Sequence, residues 1–323
     1  TIFERDMEID FAISLGTDAR FRVNAFTNRV GSVAVFRVIP TVIPSMESLH
    51  LPPVVTRLAE LEKGLVIVTG PTGSGKSTTL AAMIDYINER SACHILTIED
   101  PVEFYHTSKK SLINHREVGT DTLSFARALK SALREDPDVI LVGEMRDYET
   151  IALALTAAET GHLVFGTLHS NNAAKTIDRI IDVFPAAEKE MVRTMLSSSI
   201  QGIIAQALLP KIGGGRIAAH EILIGSSAVR NLIRENQLAQ VYSMIQTGAR
   251  YGMQTLEDSI NDLVAAGLVT PETAHDNLKD STSDGEDIVK GAASAAGKKG
   301  VLSQGKAKAP VAGKSADKEG YSF

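Results

Sequence analysis

The sequence predicts an α/β protein built on a mostly parallel sheet covered on both faces, with a small β-rich unit before it and helices after it. Three observations carry this. From Gly64 onward, short β-branched runs (66–69, 94–98, 139–142 and 163–167) alternate with helical segments. One of those runs, Leu65-Val66-Ile67-Val68-Thr69, leads directly into a glycine loop and then into Thr78–Asn88, where Leu80, Met83, Ile84 and Ile87 recur at helical spacing. Before residue 44 the pattern has period two instead, in Asp10–Ser14, Arg20–Phe26 and Ser32–Ile39, with Gly16, Asn28 and Gly31 at the turns.

In chain order, residues 1–43 form that β-rich unit. The chain starts on Thr, so the unit is expected to lack its first part. Residues 44–50 read as a linker, and Pro52-Pro53 opens a helix over Val54–Lys63. The phosphate-loop core is expected over 51–208 and a helical region over 209–280. Met191, Val192, Met195, Leu196, Ile200, Ile203 and Ile204 recur at helical spacing, and Ser227–Arg234, Ala239–Thr247 and Gln254–Ala266 read as further helices. Thr270-Pro271-Glu272 opens a last short helix. Residues 281–323, rich in Gly, Ala, Ser and Lys, read as a disordered tail.

Composition narrows the function classes. The chain has 323 residues, 44% hydrophobic and 22% charged, which suits an ordinary globular protein. Its net charge of −6 gives no overall pull towards nucleic acid, and no aromatic-interleaved basic patch is present. Cys93 is the single cysteine, which excludes an intrachain disulfide and a cysteine zinc cluster. No apolar run nears the ~18 residues of a membrane span and no signal peptide is evident, so the cytoplasm is the expected compartment.

The glycine loop carries the chemistry. Gly70-Pro71-Thr72-Gly73-Ser74-Gly75-Lys76-Ser77, with Thr78 following, has the spacing that wraps backbone N–H groups around phosphate oxygens at a helix N-terminus. Lys76 is expected to reach the outer phosphates of ATP, and Ser77 to offer its hydroxyl to Mg²⁺. The run Asp138–Asp147 has the shape of a Walker B element, but with Gly143 where its aspartate usually stands, leaving Glu144 as the candidate base for the attacking water. Glu99, Asp100 and Glu103 cluster at another strand end, where Glu99 and Asp100 are candidate metal groups and Glu103 a supporting one. His169 lies at the carboxyl end of the 163–167 strand and is placed to sense the γ-phosphate. His162 lies at the other end, where a structural role is as plausible. Arg22 and Arg37, and the helical row Arg127, Lys130 and Arg134, are candidates to hold phosphates of a neighbouring subunit.

These residues resemble the secretion and pilus motor ATPases of the type II/IV secretion system family, and within them the type IV pilus retraction branch. Four boxes match in order: the loop at 70–77, the acidic box at 99–103, the atypical Walker B ending Gly143-Glu144-Met145-Arg146-Asp147, and the histidine box with His162 and His169. Ala228–Glu235 is similar to the C-terminal motif of retraction ATPases, with Val229 in place of isoleucine. The resemblance implies a RecA-like P-loop ATPase domain behind a partial PAS-like N-terminal domain, a homohexameric ring, and a role in pilus retraction and twitching motility. It implies that Arg22 and Arg37 complete the ATP site and that Arg146 contacts nucleotide. It also implies an inner-membrane platform protein as partner, and a paralogous retraction ATPase as a possible second one. Arg230 and Arg234 are expected to matter after assembly. The rivals are a pilus assembly or type II secretion ATPase, disfavoured by the lack of cysteines in Leu209–Glu221, and an accessory ATPase that regulates a partner motor.

Overall fold

A computed structural model describes residues 2–16 and 19–281. The tail expected over 281–323 lies, from residue 282, outside the described residues.

A one-turn helix α1 (Ile2–Asp6) precedes three antiparallel strands, β1 (Glu8–Leu15), β2 (Ala19–Asn28) and β3 (Gly31–Ile39), in the order β1-β2-β3. Its apolar side chains are largely uncovered: Phe11, Val35, Phe36 and Val38 are exposed, while Val23 and Ile39 are buried.

The main sheet has seven strands: β4 (Gly64–Thr69), β5 (His94–Glu99), β6 (Leu112–Glu117), β7 (Val139–Val142), β8 (Leu163–Leu168), β9 (Ile200–Pro210) and β10 (Arg216–Ile224). Their order is β10-β9-β4-β8-β7-β5-β6. All neighbours pair in parallel except β10, which pairs antiparallel with β9. The helices are α2 (Pro53–Ala59), α3 (Lys76–Arg90), α4 (Phe125–Ala132), α5 (Tyr148–Glu159), α6 (Ala173–Asp182), α7 (Lys189–Ser199), α8 (Ser227–Arg234), α9 (Val241–Thr247), α10 (Leu256–Ala265) and α11 (Pro271–Ser281).

Alternation along each strand sorts its side chains into two layers. Leu65 and Ile67 pack with Ile98, Leu129, Leu155, Ile177 and Leu196. Val66 and Val68 face the other way, onto Val55, Leu80, Met83 and Ile84. A strand buried on both faces reads as a continuous apolar run, which is why 65–68 and 139–142 stand out in the sequence.

Two expectations are corrected. The helix read through Ile200, Ile203 and Ile204 stops at Ser199, and those isoleucines belong to β9. Ser197, Ser198 and Ser199 turn their hydroxyls back onto carbonyls of Thr194 and Met195, closing the last turn, and Ile200 is already extended. A strand buried on both faces offers apolar residues at every spacing, so periodicity does not separate it from a helix. As a result, the region expected to be helical from 209 begins with the end of β9 and the whole of β10, in the same sheet as the phosphate loop. β6 was also not anticipated. It is an edge strand in which only Ile113 is buried, so it lacks the apolar signal of the inner strands.

Candidate nucleotide-binding cleft

β4 ends at Thr69, whose hydroxyl donates to the carbonyl of Ser170 (2.9 Å) and accepts the Ser170 N–H (2.9 Å). This ties the start of the glycine loop to the end of the histidine strand. The loop then needs backbone angles that favour glycine: φ is +145° at Gly70 and +90° at Gly75. At Gly70 a Cβ would also collide with the backbone oxygen of Gln206. α3 starts at Lys76, so its first N–H groups open towards the loop.

Lys76 is buried, and its Nζ donates to the carbonyls of Gly70 (2.9 Å) and Pro71 (3.0 Å), 3.4 Å from His169 Nδ1. Burial lowers its pKa, partly offset by the Glu144 charge. Glu144, two residues past β7, pairs with the guanidinium of Arg146 and lies 3.1 Å from His169 Nε2. Burial alone would raise the Glu144 carboxyl, but Arg146, His169 and Lys76 together hold it below the ordinary glutamate value. His169 is lowered by burial and by Lys76, against the pull of Glu144. His169 therefore stands between the other two, its Nδ1 3.4 Å from the Lys76 ammonium nitrogen and its Nε2 3.1 Å from the Glu144 carboxylate.

Glu99 ends β5 and is buried. Its Oε2 accepts the Glu103 N–H at 3.1 Å, and burial raises its pKa to about 7. Gly143 lets it approach: a Cβ there would lie 3.2 Å from Glu99 Cα and 3.2 Å from the Ile98 carbonyl. A side chain at the position that usually carries the Walker B aspartate would thus have to push back the end of β5, against which Gly143 packs through Glu99.

The cleft, about 900 Å³, is lined by Thr72, Gly73, Gly75 to Thr78, Glu99, Asp100, Glu103, Glu144, Arg146 and His169, together with Arg22 and Arg37 from the N-terminal sheet. Gly70, Pro71 and Ser74 shape the loop without lining the cleft. Arg22 and Arg37 are direct cross-strand partners on β2 and β3, and neither makes an ion pair with a described residue. Like charges placed opposite each other are unfavourable in a sheet unless an anion lies between them. Both line the same cleft as the phosphate loop, where an anion between them would relieve the repulsion.

The structure does not bring every candidate here. His162 bonds through Nδ1 to the carbonyl of Ala157 (2.9 Å), at the far end of β8, a structural role. Arg127 and Lys130 lie exposed on α4, and Arg134 lies exposed in the turn beyond it, so the three do not form one helical row. Arg230 is occupied within the chain: its guanidinium donates to the carbonyls of Gly225 (2.7 Å), Ser197 (3.2 Å) and Ser198 and to Gln201 Oε1 (3.0 Å). It thereby ties α8 to the end of α7, while Arg234 is exposed. Sequence reasoning missed two groups. Arg20 donates to the Val102 carbonyl (3.3 Å), lies over the Tyr105 ring and sits 3.9 Å from Glu117, joining β2 to the acidic loop. Gln206 touches the glycine loop itself. Neither belongs to a motif, and only the fold brings them near.

Among the described residues no three His, Cys, Asp or Glu side chains converge on a metal position. The exposed Ser77 hydroxyl and the Asp100 carboxylate are hard oxygen donors on the cleft wall, and Mg²⁺ characteristically takes few protein ligands beside phosphate and water. Glu99 fits that role less well, since one of its oxygens is already engaged within a buried site.

The family described as type II/IV secretion system protein matches residues 4–276. The chain is 63% identical over 277 residues to the type IV pilus retraction ATPase PilT of Pseudomonas aeruginosa, covering 86% of this chain and 80% of that one. It is 62% identical over 283 residues to a twitching motility protein of Neisseria gonorrhoeae, covering 87% and 76%. A crystal structure of the pilus retraction motor PilT with bound ADP superposes with a TM-score of 0.82 at 52% identity, covering 90% of this chain and 81% of that one.

Proposed function

Since the chain belongs to the type II/IV secretion system protein family, we propose that it is an ATP-hydrolysing motor that powers type IV pilus retraction. The observation that carries this reading is the convergence of Lys76, Glu144 and His169 beneath the paired arginines Arg22 and Arg37, in one cleft beside the glycine loop. Relatives named for pilus retraction and twitching motility supply the biological context.

The loop N–H groups and Lys76 hold the phosphates, with Lys76 leaving the Gly70 and Pro71 carbonyls to do so. Mg²⁺ would be held by Ser77 and Asp100, and when bound it neutralises charge on the outer phosphates. Glu144, ionised and oriented by His169, polarises the attacking water. Arg22, Arg37 and Arg146 face the phosphate charge, and Glu99 and Glu103 shape the wall opposite Glu144. Arg22 and Arg37 stand on a separate sheet, so phosphate binding draws that sheet towards the core, and product release relaxes it.

The working assembly is a homohexamer acting on an inner-membrane platform protein, at the cytoplasmic face of that membrane. No helix among the described residues is long and apolar enough to cross a membrane. The test is steady-state ATPase activity, ADP binding and sizing of the wild type and Glu144→Gln. A motor loses turnover in the variant while keeping nucleotide binding and assembly. A wild type that binds ATP without turnover, and gains it only with a second ATPase, would establish the accessory role instead.

A further inference from the structure

We propose that Gln206 is a positioning residue that holds the glycine loop in its phosphate-accepting shape. The inference rests on the ATPase reading above and adds a residue to it.

Gln206 lies on β9, which runs parallel to β4 with Ala205 opposite Thr69. It therefore stands level with Gly70, the first residue of the loop, although it follows Ser74 by 132 residues. Its side chain is buried, and both ends of the amide are used. Nε2 donates to the carbonyl of Ser74 at 2.6 Å, and Oε1 accepts the hydroxyl of Thr79 at 2.8 Å. Ser74 is in the loop and Thr79 in the first turn of α3, so one amide bridges the loop to the helix across Lys76 and Ser77.

The bond to Ser74 sets a direction. In a trans peptide the carbonyl and the next N–H point opposite ways. With the Ser74 oxygen turned onto Gln206, the N–H of Gly75 points away from it, and Gly75 lines the cleft. Gln206 thus fixes the aim of a donor that meets phosphate. The glycines agree: a Cβ at Gly75 would lie 2.8 Å from Gln206 Nε2, and one at Gly70 would strike its backbone oxygen. Both ends of the loop close against this one residue. Glutamine also suits the position chemically, because it supplies a donor for a carbonyl and an acceptor for a hydroxyl. Glutamate would set a second acceptor against the Ser74 oxygen, and leucine would leave both partners unpaired in a buried place.

The test is ADP titration and steady-state ATPase kinetics on the full chain carrying Gln206→Leu, Gln206→Glu or Thr79→Val. Gln206→Leu is expected to raise the ADP Kd and the ATP KM together by about tenfold, with kcat at saturation changed less than about threefold. Gln206→Glu is expected to be worse, and Thr79→Val to cost about two- to threefold because the Ser74 bond survives. A merely structural role would instead lower the active fraction, reducing apparent kcat with Kd and KM unchanged. Wild-type ADP affinity in a folded Gln206→Leu overturns the proposal. If that variant does not fold, wild-type affinity in Thr79→Val overturns it. A wild type that binds no ADP refutes the ATPase reading, a result distinct from either.

Discussion

Restoring the aspartate that Walker B elements usually carry at position 143 should damage this protein. Gly143 continues β7 between the ends of β5 and β8, its N–H bonded to the Ile98 carbonyl (2.8 Å) and its carbonyl accepting the Thr167 hydroxyl. A Cβ there would lie 3.2 Å from Glu99 Cα, 3.2 Å from the Ile98 oxygen and 3.3 Å from Glu99 Cγ. Two of these three neighbours are backbone, so relief requires moving the end of β5 and Glu99 with it. Overpacking of this kind costs about 1–3 kcal/mol, which is the loss expected for Gly143→Ala in urea denaturation. Gly143→Asp adds a carboxylate beside Glu99, which burial already holds to a pKa of about 7. The gap between Asp and Ala variants should therefore widen as pH rises through 7, and Glu99→Gln should narrow it without rescuing Ala. ATPase activity should fall in both, because the Glu99–Glu103 turn shifts. A Gly143→Asp protein as stable and active as wild type would refute the account of why glycine stands here.

Other expectations follow from the same structure. His106 and His220 are both pushed to about 4, His106 by burial and then the neighbouring His115, His220 by burial. Their folded values lie below the unfolded value near 6.5, so the stability they confer is present above that pH and is lost as pH falls towards 4, at most about 3 kcal/mol each. Urea midpoints across pH 7 to 4 should fall less steeply in His220→Gln than in wild type; parallel curves would contradict this. Arg37→Gln should leave the ligand-free fold unchanged or steadier by a few tenths of a kcal/mol, since it relieves the pairing with Arg22, yet weaken ADP binding most at low salt. A loss of stability with unchanged ADP affinity would reverse the assignment. Arg20→Ala should cost about 1–2 kcal/mol and hasten proteolysis within residues 8–39, because it removes a hydrogen bond, a ring contact and an ion pair joining that sheet to the acidic loop. Unaltered cleavage rates would show that other contacts hold the sheet.

The positions of the glycine loop, Glu144, Glu99 and His169 are legible in the sequence because each lies at or just past the end of a strand marked by a short, mostly apolar run. Loop and strand lie side by side in the chain, so the local pattern carries the geometry. Lys76 resting on the loop carbonyls, and Glu144 shared by Arg146 and His169, are properties of side chains in space and leave no spacing to read. β9 was misread because its isoleucines satisfy helical and strand periodicity alike, and with it Gln206 was lost. The arginine pair was nominated from its strands and the family likeness. That Arg22 and Arg37 stand directly opposite each other follows only from the register of β2 and β3.

The placing of β9 beside β4 has a consequence for how the chain comes into being. The strand, loop and helix that bear Lys76 emerge from the ribosome more than a hundred residues before Gln206 does, as its separations of 127 and 132 residues from Thr79 and Ser74 imply. Until then the central strand lacks a neighbour on one side, and the loop lacks the amide on which its two ends close. A closure over so long a stretch is slow to find and leaves an open sheet edge meanwhile. A nascent chain released short of residue 206 would carry every residue of the phosphate motif and still grip nucleotide poorly. On the ATPase reading proposed above, bound nucleotide would favour those copies in which β9 has already docked beside β4.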